Sequence, residues 1–72
     1  MDINVRLTRW REHKEMTKSA LAAAAETTPQ AVDRIEDGDS QPSLHMLERL
    51  VEAMGLTMAE FYGSLPKARR AS

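Results

Sequence analysis

The chain of 72 residues contains no cysteine, which removes disulfide staples and thiolate metal sites and fits a reducing cytosol. It has no long apolar run. The longest, Ala20 to Ala25, is far short of a membrane span, and the N-terminal MDINVRLTRWR lacks the apolar stretch of a secretory signal. There is no strand alternation, internal repeat or low-complexity linker. The two histidines, His13 and His45, stand apart from each other and from any second ligand at metal spacing. No nucleophile accompanies them, so neither a metal centre nor a catalytic set is expected. Nor is there an excess of basic residues: the net charge is −1, without the basic footprint by which nucleic-acid-binding domains are ordinarily recognised.

The neutral total conceals an uneven distribution. Residues 1–25 carry five basic and three acidic groups, whereas residues 26–40 carry Arg34 against Glu26, Asp33, Glu36, Asp37 and Asp39. Residues 41–66 carry Arg49 against three glutamates, and Lys67, Arg69 and Arg70 make the last six residues basic. A chain this short is one small domain, with an interior limited enough that its large apolar residues should be in the core.

The organising stretch is Thr17 to Gly38, TKSALAAAAETTPQAVDRIEDG. It predicts two short helices joined by a tight turn. Thr17 is placed to cap the first, over about Lys18 to Ala25. Thr28 caps the second, with Pro29 at its first position, where the missing N–H lacks an intrahelical partner in any case. Gly38 can adopt the left-handed conformation that closes a helix. Two helices of this length do not stand alone, because nucleation is costly and they have few turns to offset it.

The flanking sequence predicts the support. A first helix from Ile3 or Asn4 to about Lys14 has Ile3, Leu7 and Trp10 on one stripe, with Arg11 beside it. Val32 and Ile35 are the inward positions of the proline-started helix. After the turn-forming Asp39-Ser40-Gln41-Pro42, Ser43 opens a strongly amphipathic helix with Leu44, Leu47, Leu50, Val51 and Met54, which Gly55 ends. Thr57-Met58-Ala59-Glu60 is a capping box opening a short fifth helix with Phe61 and Leu65. Pro66 ends regular structure, so residues 1–66 are expected to form the domain and 67–72 a frayed basic tail.

Five groups of residues carry a resemblance in this order: Leu7-x-x-Trp10-Arg11; Met16-Thr17-x-x-x-Leu21-Ala22; Val32-x-Arg34-Ile35-Glu36-x-Gly38; Pro42-Ser43-Leu44-x-x-Leu47; and Gly55-Leu56-Thr57. Together they resemble the helix-turn-helix domains of the phage-repressor and Cro type, the XRE family. The resemblance spans about Leu7 to Leu65. It implies an all-α, compact five-helix bundle of the lambda-repressor-like kind, in which helices two and three read DNA. It also implies an ion pair between Arg11 and Glu36.

On the same resemblance the DNA-contacting positions are Lys18, Ser19, Thr28, Pro29, Gln30, Ala31, Asp33, Arg34, Ser40 and Gln41. Gln30 is suited to adenine, whose N6 and N7 a carboxamide can engage together, and Asp33 to cytosine N4. Arg34 suits guanine or a phosphate. Thr28 and the free N–H groups opening helix three suit a phosphate, as does Lys18. The expected partner is double-stranded DNA bearing a palindromic operator, bound by a homodimer acting as a cytoplasmic, nucleoid-associated repressor. No cofactor, metal or membrane is expected. Leu56, Met58, Phe61, Tyr62 and Leu65 exceed what a short terminal helix needs for its own packing and form the expected dimer surface, the alternative being that they complete a small core.

Three departures from the family pattern bear on affinity. Lys18 stands where family members often have glutamine, and Glu26 where they often have glycine. Asp37-Gly38-Asp39 opens a loop that is often basic. Acidic groups near phosphates weaken the sequence-independent part of binding. They leave open a second reading, in which the same scaffold binds a basic protein partner through its acidic 26–40 face.

Overall fold

Hydroxyl side chains open four of the five helices. Thr17 Oγ1 accepts from the Ala20 N–H at 3.0 Å, Thr28 Oγ1 from Ala31 at 3.1 Å and Ser43 Oγ from Met46 at 3.1 Å. Thr57 Oγ1 accepts from Glu60 at 3.0 Å while Glu60 Oε1 accepts from the Thr57 N–H at 2.8 Å, completing the capping box. Each such cap satisfies a donor the helix itself leaves free and contributes about 1 kcal/mol. The computed structural model describes residues 2–67, which form α1 (Ile3–His13), α2 (Lys18–Ala24), α3 (Pro29–Glu36), α4 (Leu44–Ala53) and α5 (Met58–Tyr62). Beyond Lys67, the basic tail expected from the sequence lies outside the described residues.

Helix ends are as regular as the starts. After α1, α2, α3 and α4 the chain closes with the same pair of backbone bonds, in which the second and third residues past the helix return to carbonyls of its last turn. At α3 these are Gly38 N–H to Ile35 O (3.1 Å) and Asp39 N–H to Arg34 O (2.9 Å); at α2 they are Glu26 N–H to Ala23 O (3.2 Å) and Thr27 N–H to Ala22 O (2.8 Å). The closure requires a left-handed residue. Glycine supplies it after α3 and α4, but after α1 and α2 the residue is a glutamate, Glu15 at φ 58° and Glu26 at φ 60°.

The core is drawn from every helix: Leu7 from α1, Leu21 and Ala22 from α2 with Ala25 just beyond it, Val32 and Ile35 from α3, Leu47, Leu50 and Val51 from α4 with Met54 following, and Phe61 from α5. The alanines of α2 bring neighbouring backbones close, so α2 packs against both α3 and α4. Trp10 and Ile3 are only partly buried, packed on the rim of this cluster. Two sequence expectations change here. Leu44 belongs to the apolar stripe of α4 by spacing, yet it is 67% exposed. It sits at the first position of α4, three residues ahead of the buried Leu47. Helix α5 stops at Tyr62, because Gly63 leaves helical geometry at φ −78°, ψ −147°; Leu65 therefore lies outside the helix.

Two arginines of α1 join it to distant elements. Arg11 Nε donates to Glu36 Oε2 at 2.6 Å and its Nη2 to Glu36 Oε1 at 3.0 Å, a two-pronged pair between α1 and the last residue of α3. Its Nη1 donates to Met16 O at 2.9 Å, so the same guanidinium also fixes the loop before α2. The two side chains are 11% and 4% exposed. The hydrogen bond to Glu36 raises the Arg11 pKa above its ordinary value, against the opposing effect of burial. Arg6 Nη1 donates to Phe61 O (2.8 Å) and Gly63 O (2.9 Å), and Trp10 Nε1 donates to Phe61 O (3.2 Å). The Phe61 carbonyl in the last turn of α5 and the Gly63 carbonyl just beyond the helix are thereby satisfied by α1.

Candidate nucleic-acid interface

Helix α3 divides cleanly into two faces. Val32 and Ile35 are buried, while Thr28, Pro29, Gln30 and Arg34 are exposed and Ala31 and Asp33 are half-buried. The leading end of the helix, capped by Thr28 and started by Pro29, therefore projects into solvent. Gln30 and Arg34 are four residues apart, which puts them on one helical face. Among the described residues neither side chain has a hydrogen-bond or ion-pair partner. Thr28 Oγ1 accepts the capping bond from Ala31, which leaves its own O–H able to donate.

The turn that sets α3 against α2 is held from outside. Arg49 of α4 donates from Nη2 to the Glu26 carbonyl at 2.8 Å and lies 3.5 Å from Glu26 Oε1. The carboxylate contact is exposed and contributes little; the carbonyl bond pins the left-handed residue itself. Arg49 was not among the residues the sequence singled out, and the only hint was its position between the core residues Leu47 and Leu50, on the side of α4 that meets the turn. A left-handed conformation costs a residue with a Cβ about 1–2 kcal/mol. Glu26→Gly is therefore expected to stabilise the protein by about 1 kcal/mol, after allowance for the greater freedom of glycine in the unfolded chain. A thermal melt checks this, with a rise of about 4–8 °C expected for a domain of this size.

Lys18 and Asp33, each assigned to DNA by the sequence, are joined to each other. Lys18 Nζ at the start of α2 donates to Asp33 Oδ1 in the middle of α3. The bond raises the Lys18 pKa. Because a raised lysine pKa keeps the ammonium charged, this contribution is fully present below the ordinary lysine value and disappears only as pH climbs through the still higher folded value. The pair is therefore charged on the lysine side throughout the neutral range.

The remaining expected positions are spread around this centre. Ser19 is exposed on the first turn of α2. Ser40 is half-buried, its N–H donating to Arg34 O at 3.2 Å, and Gln41 is exposed. Both lie beyond the C-terminal end of α3, where they line a groove against Asp2, Ile3 and Asn4 of the N-terminal segment. Asp37 and Asp39 are exposed beside them. Of the residues expected at a dimer surface, Phe61 is fully buried and belongs to the chain's own core. Leu56 and Met58 pack partly against that core, Leu65 is half-buried, and Tyr62 is 49% exposed. The Arg6 guanidinium lies 5.8 Å from the centre of the Tyr62 ring. Among the described residues, no group of three or more His, Asp or Glu side chains is disposed to hold a metal ion, and no helix is long and apolar enough to cross a membrane.

Two short helices about a closed turn, the second offering its leading end to solvent and both braced by three others, make a helix-turn-helix. The chain matches the helix-turn-helix family over residues 7–61, and it belongs to that family, in its XRE branch of phage-repressor and Cro type. The family is one of DNA-binding domains and not of enzymes. No curated protein matches the chain.

Proposed function

We propose that this protein is a sequence-specific transcriptional regulator, acting as a repressor, that reads double-stranded DNA by laying α3 in the major groove. The observation that carries the reading is the exposed pair Gln30 and Arg34 on the projecting face of α3, neither with a partner among the described residues. A helix fits the major groove, and side chains near its N-terminal end reach base edges. Gln30 pairs with adenine N6 and N7, and Arg34 with guanine or a phosphate. Thr28, Pro29 and Ala31 bring the start of α3 against the backbone, where the Gln30 N–H, which has no acceptor among the described residues, and the positive dipole end attract a phosphate. Lys18, Ser19, Ser40 and Gln41 contact the flanking backbone.

The protein works as a homodimer on a palindromic operator. Two recognition helices must then sit roughly 34 Å apart, one turn of the duplex. A protomer with extents of 31 × 25 × 21 Å placed beside a copy of itself suits that spacing. Leu56, Met58, Tyr62 and Leu65 form the shared surface, around the buried Phe61 that fixes them. Cytoplasmic, nucleoid-associated residence follows from that partner.

Selection from random duplexes followed by titration at several salt concentrations tests the reading. Enrichment of a palindrome, bound with salt-sensitive affinity, is expected. If no duplex is retained at low ionic strength, the regulator reading fails. The exposed Glu26, Asp37 and Asp39 at the two ends of α3 favour a second reading in that event, a protein-binding module whose partner is basic. A partner protein bound without DNA would identify it.

A further inference from the structure

The helix-turn-helix segment from Thr17 to Gly38 contains only two cationic side chains, Lys18 and Arg34. Arg34 is free among the described residues, whereas Lys18 is held by Asp33. The pair is not a core contact. The two side chains are 40% and 49% exposed, so water reaches both, and a pair so exposed contributes little to stability. It does change what the surface presents. A carboxylate on α3 occupies the ammonium at the start of α2, on the side where the backbone of a docked duplex would run. Asp33 thus stands where a phosphate oxygen would otherwise stand.

We propose that Asp33 is a specificity-determining residue acting through Lys18: it serves as an internal substitute for phosphate that keeps Lys18 from the backbone of arbitrary DNA. This rests on the DNA reading above and deepens it. Sequence-independent affinity comes almost wholly from lysine and arginine neutralising phosphates, whereas base contacts carry discrimination. On arbitrary DNA this withholds one of two local cations from the first account, whereas an operator that seats α3 through Gln30 and Arg34 presents a phosphate to Lys18 in place of Asp33, which widens the ratio of operator to random binding. The role differs from that of an Asp33 carboxylate accepting from cytosine N4, because that contact would make Asp33 sensitive to one base pair and Lys18 irrelevant to its effect.

Binding of a random-sequence 20-base-pair duplex by wild type, Asp33→Asn, Lys18→Gln and the double variant, between 50 and 200 mM salt, tests the proposal. Melting temperatures of all four should agree closely, since water reaches both side chains and an ion pair so placed contributes little. Asp33→Asn frees one ammonium, so its plot of log affinity against log salt should steepen by about 0.9, the value for one additional phosphate contact. Its advantage over wild type should accordingly grow about 3.5-fold from the highest salt to the lowest. In the Lys18→Gln background the same substitution should leave the slope unchanged. An unaltered slope for Asp33→Asn overturns the proposal, as does an equal steepening in the Lys18→Gln background, which would mean that Asp33 simply repels phosphates. In either case wild-type binding still stands and only the role of Asp33 fails. If none of the four proteins retains a duplex at 50 mM salt, the DNA reading itself fails and the proposal with it.

Discussion

Arg11→Ala is expected to destabilise the protein by about 3–5 kcal/mol, the range found when one member of a buried pair is removed and the other is stranded. The substitution leaves Glu36, with a side chain 4% exposed, as a carboxylate without either of its hydrogen bonds, and it leaves the Met16 carbonyl without its donor. A domain of this length has on the order of 4–11 kcal/mol of stability in total. The melting temperature should therefore fall by more than about 12 °C, and much of the protein should be unfolded at physiological temperature. Arg11→Lys retains the charge but loses the planar fork that meets both carboxylate oxygens, and should fall between wild type and alanine. The informative companion is the double variant Arg11→Met with Glu36→Leu. Replacing both members by apolar side chains of similar volume is often close to neutral, so recovery of most of the lost stability would show that the stranded carboxylate is the cause. A melt for Arg11→Ala within a degree or two of wild type would contradict the whole account of this contact.

That contact also shows how the fold was legible. Arg11 and Glu36 are 25 residues apart, and nothing in local spacing joins them; the family resemblance did. The helices, by contrast, follow from local rules: hydroxyl residues at 17, 28, 43 and 57 mark starts, and Gly38 and Gly55 mark ends at φ 83° and 74°. Local rules fail where the outcome depends on how helices cross. Leu44 has the spacing of a core residue and is exposed at the leading residue of α4, although Met46 and Leu47 in the same turn pack on or in the core. Phe61 and Tyr62 are adjacent and similar, and only the packing of α5 on α1 and α4 decides that the first is buried and the second half in solvent. The helix closing with a glutamate at Glu15 gave no signal, whereas Glu26 did, because the resemblance placed a glycine there.

For the candidate site the division is the same. That α3 presents Gln30 and Arg34 outward follows from Val32 and Ile35 pointing in, a matter of helical period. That Lys18 and Asp33 meet does not, since they stand 15 residues apart on two helices whose crossing brings them together. Read singly, each looks available to DNA; together they neutralise one another. Charge in such a motif has to be counted in pairs, after packing is known, and the cation of the motif left without a partner among the described residues is Arg34.

Gln30→Ala is expected to produce the largest loss of base preference of any single change on α3. A carboxamide that pairs with adenine N6 and N7 discriminates against other bases by about 1–3 kcal/mol, and alanine supplies neither donor nor acceptor. Titration against the selected operator and its single-base-pair variants should show the preference at one position per half-site collapsing, by a factor of about 5 to 150. Affinity for random duplex should be almost unchanged, because Gln30 carries no charge and neutralises no phosphate. The fold should be untouched, since the side chain is exposed and has no partner among the described residues. Arg34→Ala provides the contrast. If Arg34 meets a phosphate, its loss weakens every duplex alike and lowers the salt slope by about one contact; if it meets guanine, a second position loses its preference while the others hold. Uniform loss on every sequence from Gln30→Ala would remove the carboxamide from base reading, and with it the reason for supposing that this face of α3 lies in the groove.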